Sequence, residues 1–140
     1  MSGERYRELE HPADLRLEIF GADERELFEN AAFALFDRMV DLSGVGAGLE
    51  EEVAAEGSDR EELLVNLLGE LLYRFEGEGR VYREFQVVEL GPSRVRLHCR
   101  GELFEASRHE AVLEIKAVTH HDVRIRPAPG GLSVVVTCDI

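Results

Sequence analysis

Apolar residues recur at helical spacing in two stretches of this chain, and both lie before residue 80. Leu27, Phe28, Ala31, Ala32, Leu35, Phe36 and Met39 make the first stripe; Leu63, Leu64, Leu67, Leu68, Leu71, Leu72 and Phe75 make the second. Each is introduced by residues that start helices: Asp23 with Glu26 three positions on, and Ser58 with Glu61 three positions on, the reciprocal arrangement of a capping box. The first helix is expected to end near Asp41, the second at Gly77 and Gly79. Two amphipathic helices of this kind need a sheet to cover. Asp14 to Phe20 alternates like a half-buried strand, and residues 49–56 read as a second. After Val81 helical periodicity almost vanishes. Strands are expected at 81–90, 94–104, 110–119, 121–127 and 132–140, with turns at Gly91-Pro92 and at 127–131. Strand–helix–strand–helix followed by a mostly antiparallel β half predicts an α+β fold with both helices packed on sheet. The 140 residues read as a single domain, 1–140.

The net charge is −13 and unevenly spread: residues 1–90 hold 23 acidic and 9 basic side chains, residues 91–140 hold 6 and 7. Such a surface repels phosphate backbones, so little direct nucleic-acid binding is expected, whereas a basic protein partner or a cation suits it. The start, Met1-Ser2-Gly3-Glu4-Arg5, has no basic and apolar signal pattern, and no apolar run approaches the ~20 residues of a membrane span. A cytoplasmic location is expected. Cys99 and Cys138 lie far apart in strand-like runs and read as buried thiols. The glycine-rich stretch 43–48 lacks the Gly-Lys-Ser/Thr ending of a phosphate loop and follows a helix, so it reads as a flexible connector.

The chain stops at the end of an apolar strand, Val134 to Ile140, where termini normally fray. Anchoring of the Ile140 side chain would fix its α-carboxylate beside Asp139. Asp14, which opens the first strand after His11-Pro12-Ala13, is the natural third carboxylate of a hard-oxygen cation site. His11, His120 and His121 can add nitrogen ligands or acid–base function; His98 and His109 read as incidental, one in a strand and one in a loop. Lys116 is the only lysine among 16 basic residues. It sits in an alternating run whose one face is Glu114, Lys116, Val118 and His120, where it either binds an anion or a partner's acidic group or is an ordinary surface residue. No HExxH, Gly-x-Ser-x-Gly or Cys-x-x-Cys motif occurs, and no nucleophile has a matched base. The same carboxylates with the nearby histidines leave open a metal-dependent hydrolase of small phosphorylated substrates, and a metal-independent chaperone-like adaptor stays open beside it.

The His11-Pro12-Ala13-Asp14 entry, the Leu27–Phe36 helix, the leucine-rich helix from Leu63, the Gly101-Glu102 turn, the run Glu114-Ile115-Lys116-Ala117-Val118-Thr119 and the terminal Asp139-Ile140 together resemble the archease family, in order along essentially the whole chain. The resemblance implies a non-enzymatic activator of the GTP-dependent RNA ligase of tRNA splicing and RNA repair, a partner that promotes ligase guanylylation and multiple turnover. It implies a divalent cation, calcium first and magnesium or manganese as alternatives, held by Asp14, Asp139 and the Ile140 terminus. It implies a role in activation for Lys116. Two positions depart from the family pattern: Pro12 stands where threonine is usual, and His120 where tyrosine is common.

Overall fold

In the computed structural model, which describes residues 4–10 and 13–140, two antiparallel sheets share two helices. The elements in order are β1 (Tyr6–Leu9), β2 (Asp14–Gly21), α1 (Glu24–Met39), a 3-10 turn (Leu42–Gly44), β3 (Leu49–Glu56), α2 (Arg60–Glu78), β4 (Arg80–Leu90), β5 (Arg94–Leu103), β6 (Ala117–Val118), β7 (Arg126–Ala128) and β8 (Gly131–Asp139). The first sheet runs β1-β2-β8-β6, with β7 also on β8; the second runs β3-β5-β4. The α+β expectation holds.

Both helices form where the apolar stripes place them. α1 is capped by Asp23, whose carboxylate accepts the Glu26 amide, while Glu26 reaches back to the Ala22 amide. Its buried residues surround most of the helix, Asn30 and Ala34 included, because α1 packs on β2 of one sheet and β4 of the other. Asn30 meets the cost of burial by donating to the Phe20 carbonyl at 2.7 Å. α2 packs on β3 and β6. Phe36 lies at the heart of the core, edge-on to Tyr82 and Phe75 and stacked on Phe85. Burying a side chain of that size contributes about 2–3 kcal/mol.

Several local expectations are corrected. The cap of α2 is Asp59 rather than Ser58: Asp59 accepts the Glu62 amide, and Glu62, not Glu61, reaches back to the Ser58 amide. α1 ends at Met39 because Val40 turns extended and bridges Ala111. The glycine-rich stretch is no flexible connector. Val45 is 2% exposed, its carbonyl accepts from the Arg83 guanidinium, and the Gly46 amide donates to Glu102. Gly101-Glu102 is not a turn but lies within β5, facing Tyr82 of β4. A Cβ on Gly101 would come within 1.8 Å of the Val81 carbonyl oxygen, so close strand approach, rather than chain reversal, calls for glycine there. Of the expected strands 110–119 and 121–127, only Ala117–Val118 and Arg126–Ala128 form. Residues 112–116 are irregular because their amides bond elsewhere: Val112 donates to the Met39 carbonyl at the end of α1.

Candidate functional site

The functional end of the molecule is where β2 begins and β8 finishes. Antiparallel register sets Asp14 directly opposite Asp139, followed by Leu15 opposite Cys138 and Arg16 opposite Thr137. Residues opposite one another share a face, so the two carboxylates stand on the same side of the sheet, away from the core face of Leu15, Leu17, Val136 and Cys138. Like charges placed this way are destabilising, and a cation between them offsets the repulsion. The donors are carboxylate oxygens, the set that suits calcium, magnesium or manganese. Among the described residues no three His, Cys, Asp or Glu side chains converge closely enough to hold a metal by themselves. Further ligands would have to come from main-chain oxygens or water.

Lys116 arrives at the same place by its backbone. Its amide donates to the Asp139 carbonyl at 2.8 Å, while Ala117 is the residue in register with Asp139. The pairing thus reaches one residue beyond the last register pair, and Lys116 is joined to Asp139 through its main chain. The Lys116 side chain is exposed and makes no ion pair among the described residues. The chain end is thus held through the backbone of Asp139, which faces Asp14 on one side and Lys116 and Ala117 on the other. The Ile140 side chain does not provide the anchor: it is 44% exposed.

The outer face beside Asp14 is partly roofed by His121 and Asp122. His121 donates its amide to the Thr119 hydroxyl, and Asp122 takes a left-handed backbone (φ 50°), which aspartate tolerates. The roof leaves a cavity of about 140 Å³ lined by Asp14, Arg16, His121, Asp122, Val135 and Thr137. His121 therefore joins the site. His120 is exposed and lines no part of this cavity, while His11 and Pro12 lie outside the described residues. His98 pairs with Glu50 on the outer face of the second sheet. The Cys99 and Cys138 thiols are buried, and burial pushes both up to about 12.

A second polar cluster went unrecognised in the sequence. His109, read there as incidental, has a side chain 0% exposed. Its Nε2 lies 2.7 Å from Glu102 Oε2, and its Nδ1 accepts the Glu105 amide at 2.8 Å. Gly46 donates to that same Glu102 oxygen. The Gly46 amide, His109 and Arg108 together lower Glu102 from 4.5 to about 2.

Two helices shared between antiparallel sheets, an acidic composition and a sheet end where two aspartates stand in register beside the backbone of a lysine define the class: a small acidic α+β protein. The chain matches the archease protein family over residues 6–140. It is 39% identical over 138 residues to an archease of Archaeoglobus fulgidus, covering 97% of this chain and 99% of that one. It is 37% identical over 142 residues to an archease of Methanosarcina mazei, covering 99% and 97%. The solution structure of Methanobacterium thermoautotrophicum protein 1598 is similar with a TM-score of 0.80 at 30% identity, covering 97% of this chain and 99% of that one. The chain belongs to the archease family. Membership supports an activator or adaptor role, and no helix among the described residues is long and apolar enough to cross a membrane.

Proposed function

We propose that this protein activates a GTP-dependent RNA ligase in tRNA splicing and RNA repair, as a cytoplasmic protein partner that promotes guanylylation and multiple turnover without ligating RNA itself. Asp14, Asp139 and the Ile140 main-chain carboxylate hold a divalent cation, calcium before magnesium or manganese, and Lys116 faces the ligase. The observation that carries this reading is the convergence at one sheet end: Asp14 opposite Asp139, with the Lys116 amide on the Asp139 carbonyl. The bound cation supplies fixed positive charge between two carboxylates. The chain's own residues do the rest: the β2–β8 register holds the carboxylates, and the Lys116 amide bond to Asp139 keeps the lysine at the same sheet end. The acidic body suits docking on a ligase whose RNA-binding face is basic.

The test is guanylylation of the cognate ligase by GTP, followed with wild-type protein, Asp139→Ala and Lys116→Ala. Wild type is expected to accelerate the step, and each variant to lose most of that acceleration while remaining folded. Absence of acceleration by wild type overturns the proposal. Full activity in Asp139→Ala removes the cation from it.

A further inference from the structure

The irregular segment 104–116 leads from β5 to Lys116 and is tied down along its length, with Ile115 buried in the core just before the lysine. At its middle, Val112 donates to the Met39 carbonyl, and the Asp41 amide donates to Glu110. At its far end the Lys116 amide is bonded to Asp139. At its near end the Phe104 amide donates to the Gly79 carbonyl and its ring packs edge-on to Phe75, and the polar group that fixes the chain beyond it is His109. The imidazole is fully enclosed, with Phe104 tilted against it at 5.6 Å. Nδ1 accepts the Glu105 amide, so it carries no proton; Nε2 therefore holds the ring proton and donates to Glu102. Glu102 Oε2 also takes the Gly46 amide at 2.7 Å. One buried ring thus ties the start of the segment to β5 and, through a shared oxygen, to the loop after α1.

We infer that His109 is a positioning residue, one that locks the 104–116 segment through Glu102 and the Glu105 amide so that Lys116 is delivered to Asp139. As it concerns the work of Lys116, this inference rests on the activator reading above. A buried histidine whose two nitrogens are both engaged leaves the segment one conformation, because either nitrogen left unpaired in the interior is costly. Without the lock, the segment keeps its main-chain bonds, the Phe104 contact with Phe75 and the buried Ile115, and the largely exposed stretch between Phe104 and Val112 becomes the kind of structure that opens locally well before the core unfolds.

The sole lysine makes the test direct, since selective ¹⁵N-lysine labelling gives a single backbone amide signal. Hydrogen exchange of that amide reads the Lys116–Asp139 bond without any ligase present. His109→Ala is expected to speed it about tenfold or more, the scale of losing a buried charge-assisted bond, while core amides such as Val136, read in uniformly labelled protein, keep their protection. Glu102→Ala makes the same demand from the partly exposed side of the pair, should His109→Ala fail to fold. Glu102→Gln is expected to keep slow exchange, because the amide oxygen can take the Gly46 amide and the His109 Nε2 proton that now lie on Oε2. In the ligase assay the two alanine variants are expected to lose activation and Glu102→Gln to keep it. Unchanged Lys116 exchange in the alanine variants overturns the inference, and so does a rise that core amides share equally. If wild type itself fails to activate the ligase, the activator reading falls, and the exchange data still decide whether His109 holds Lys116 in place.

Discussion

Asp139→Asn should make the cation-free protein more stable and the cation-loaded protein less stable than wild type. Asp14 and Asp139 face each other across β2 and β8, where side chains of opposed residues approach to about 4.5–5.5 Å at Cβ, and like charges there cost up to about 1 kcal/mol. Asparagine keeps the shape and removes one charge, so the metal-free variant gains about 0.5–1 kcal/mol. For a chain of 140 residues the unfolding entropy is about 0.3 kcal/mol/K, which makes the gain a rise in Tm of about 2–3 °C. Calcium at about 100 times its Kd adds about 2.7 kcal/mol, or about 9 °C, to wild type. The variant, with one carboxylate of the pair gone, gains a small fraction of that. The two melting curves therefore exchange order between chelator and saturating calcium. Differential scanning calorimetry at low ionic strength, where screening is weakest, is the assay. A metal-free Asp139→Asn that melts below wild type shows that the carboxylates do not repel. An equal calcium gain in both proteins shows that Asp139 does not hold the ion.

Gly101→Ala drives a methyl group to within 1.8 Å of the Val81 carbonyl oxygen, and a loss of about 3 kcal/mol or more is expected in urea unfolding, since backbone on both strands has to move. Asp59→Ala is expected to cost about 1 kcal/mol in the same measurement, as the loss of a helix cap does, with Ser58→Ala costing much less. Glu102 sits at about 2 in the folded protein instead of 4.5, through the Gly46 amide, His109 and Arg108. Its folded value is depressed, so its contribution is fully present above about pH 4.5 and is lost as pH falls toward 2. Wild type should lose stability more steeply than Glu102→Gln across that acid window, and parallel acid titrations of the two would refute the assignment.

The helices were legible because their signals are local. The stripes from Leu27 to Met39 and from Leu63 to Leu72 are buried as their spacing requires, and Asp23 and Gly79 stand at helix boundaries for reasons of hydrogen bonding and backbone freedom that a few neighbouring residues settle. Gly79 closes α2 in the left-handed region, at φ 71°. Asp14, Asp139 and Lys116 could be nominated from sequence, but their meeting could not be read from it. A register slip of one residue between β2 and β8 would send Asp139 to the other face.

Alternation misled over 110–127. Those residues have strand-like spacing, yet only four of them enter strands. Periodicity says which side chains want burial, and not which main-chain partners are within reach: for Val112 the nearest acceptor is the end of α1 rather than a neighbouring strand. His109 was hidden for a related reason. In the chain it is one histidine in a short polar loop, and its importance comes from Glu102, Gly46 and Phe104 closing around it.

By itself, then, the amino-acid sequence determined the two helices, the longer strands, the acidic surface and the family, since all of these follow from spacing, composition and order along the chain. Tertiary structure alone decided that Asp14 faces Asp139, that the Lys116 amide bonds to Asp139 at the same sheet end, and that a buried histidine is tied to Glu102 and the Glu105 amide in the segment before it. The first two contacts join residues far apart in sequence, and the geometry of all of them is fixed by strand register and packing.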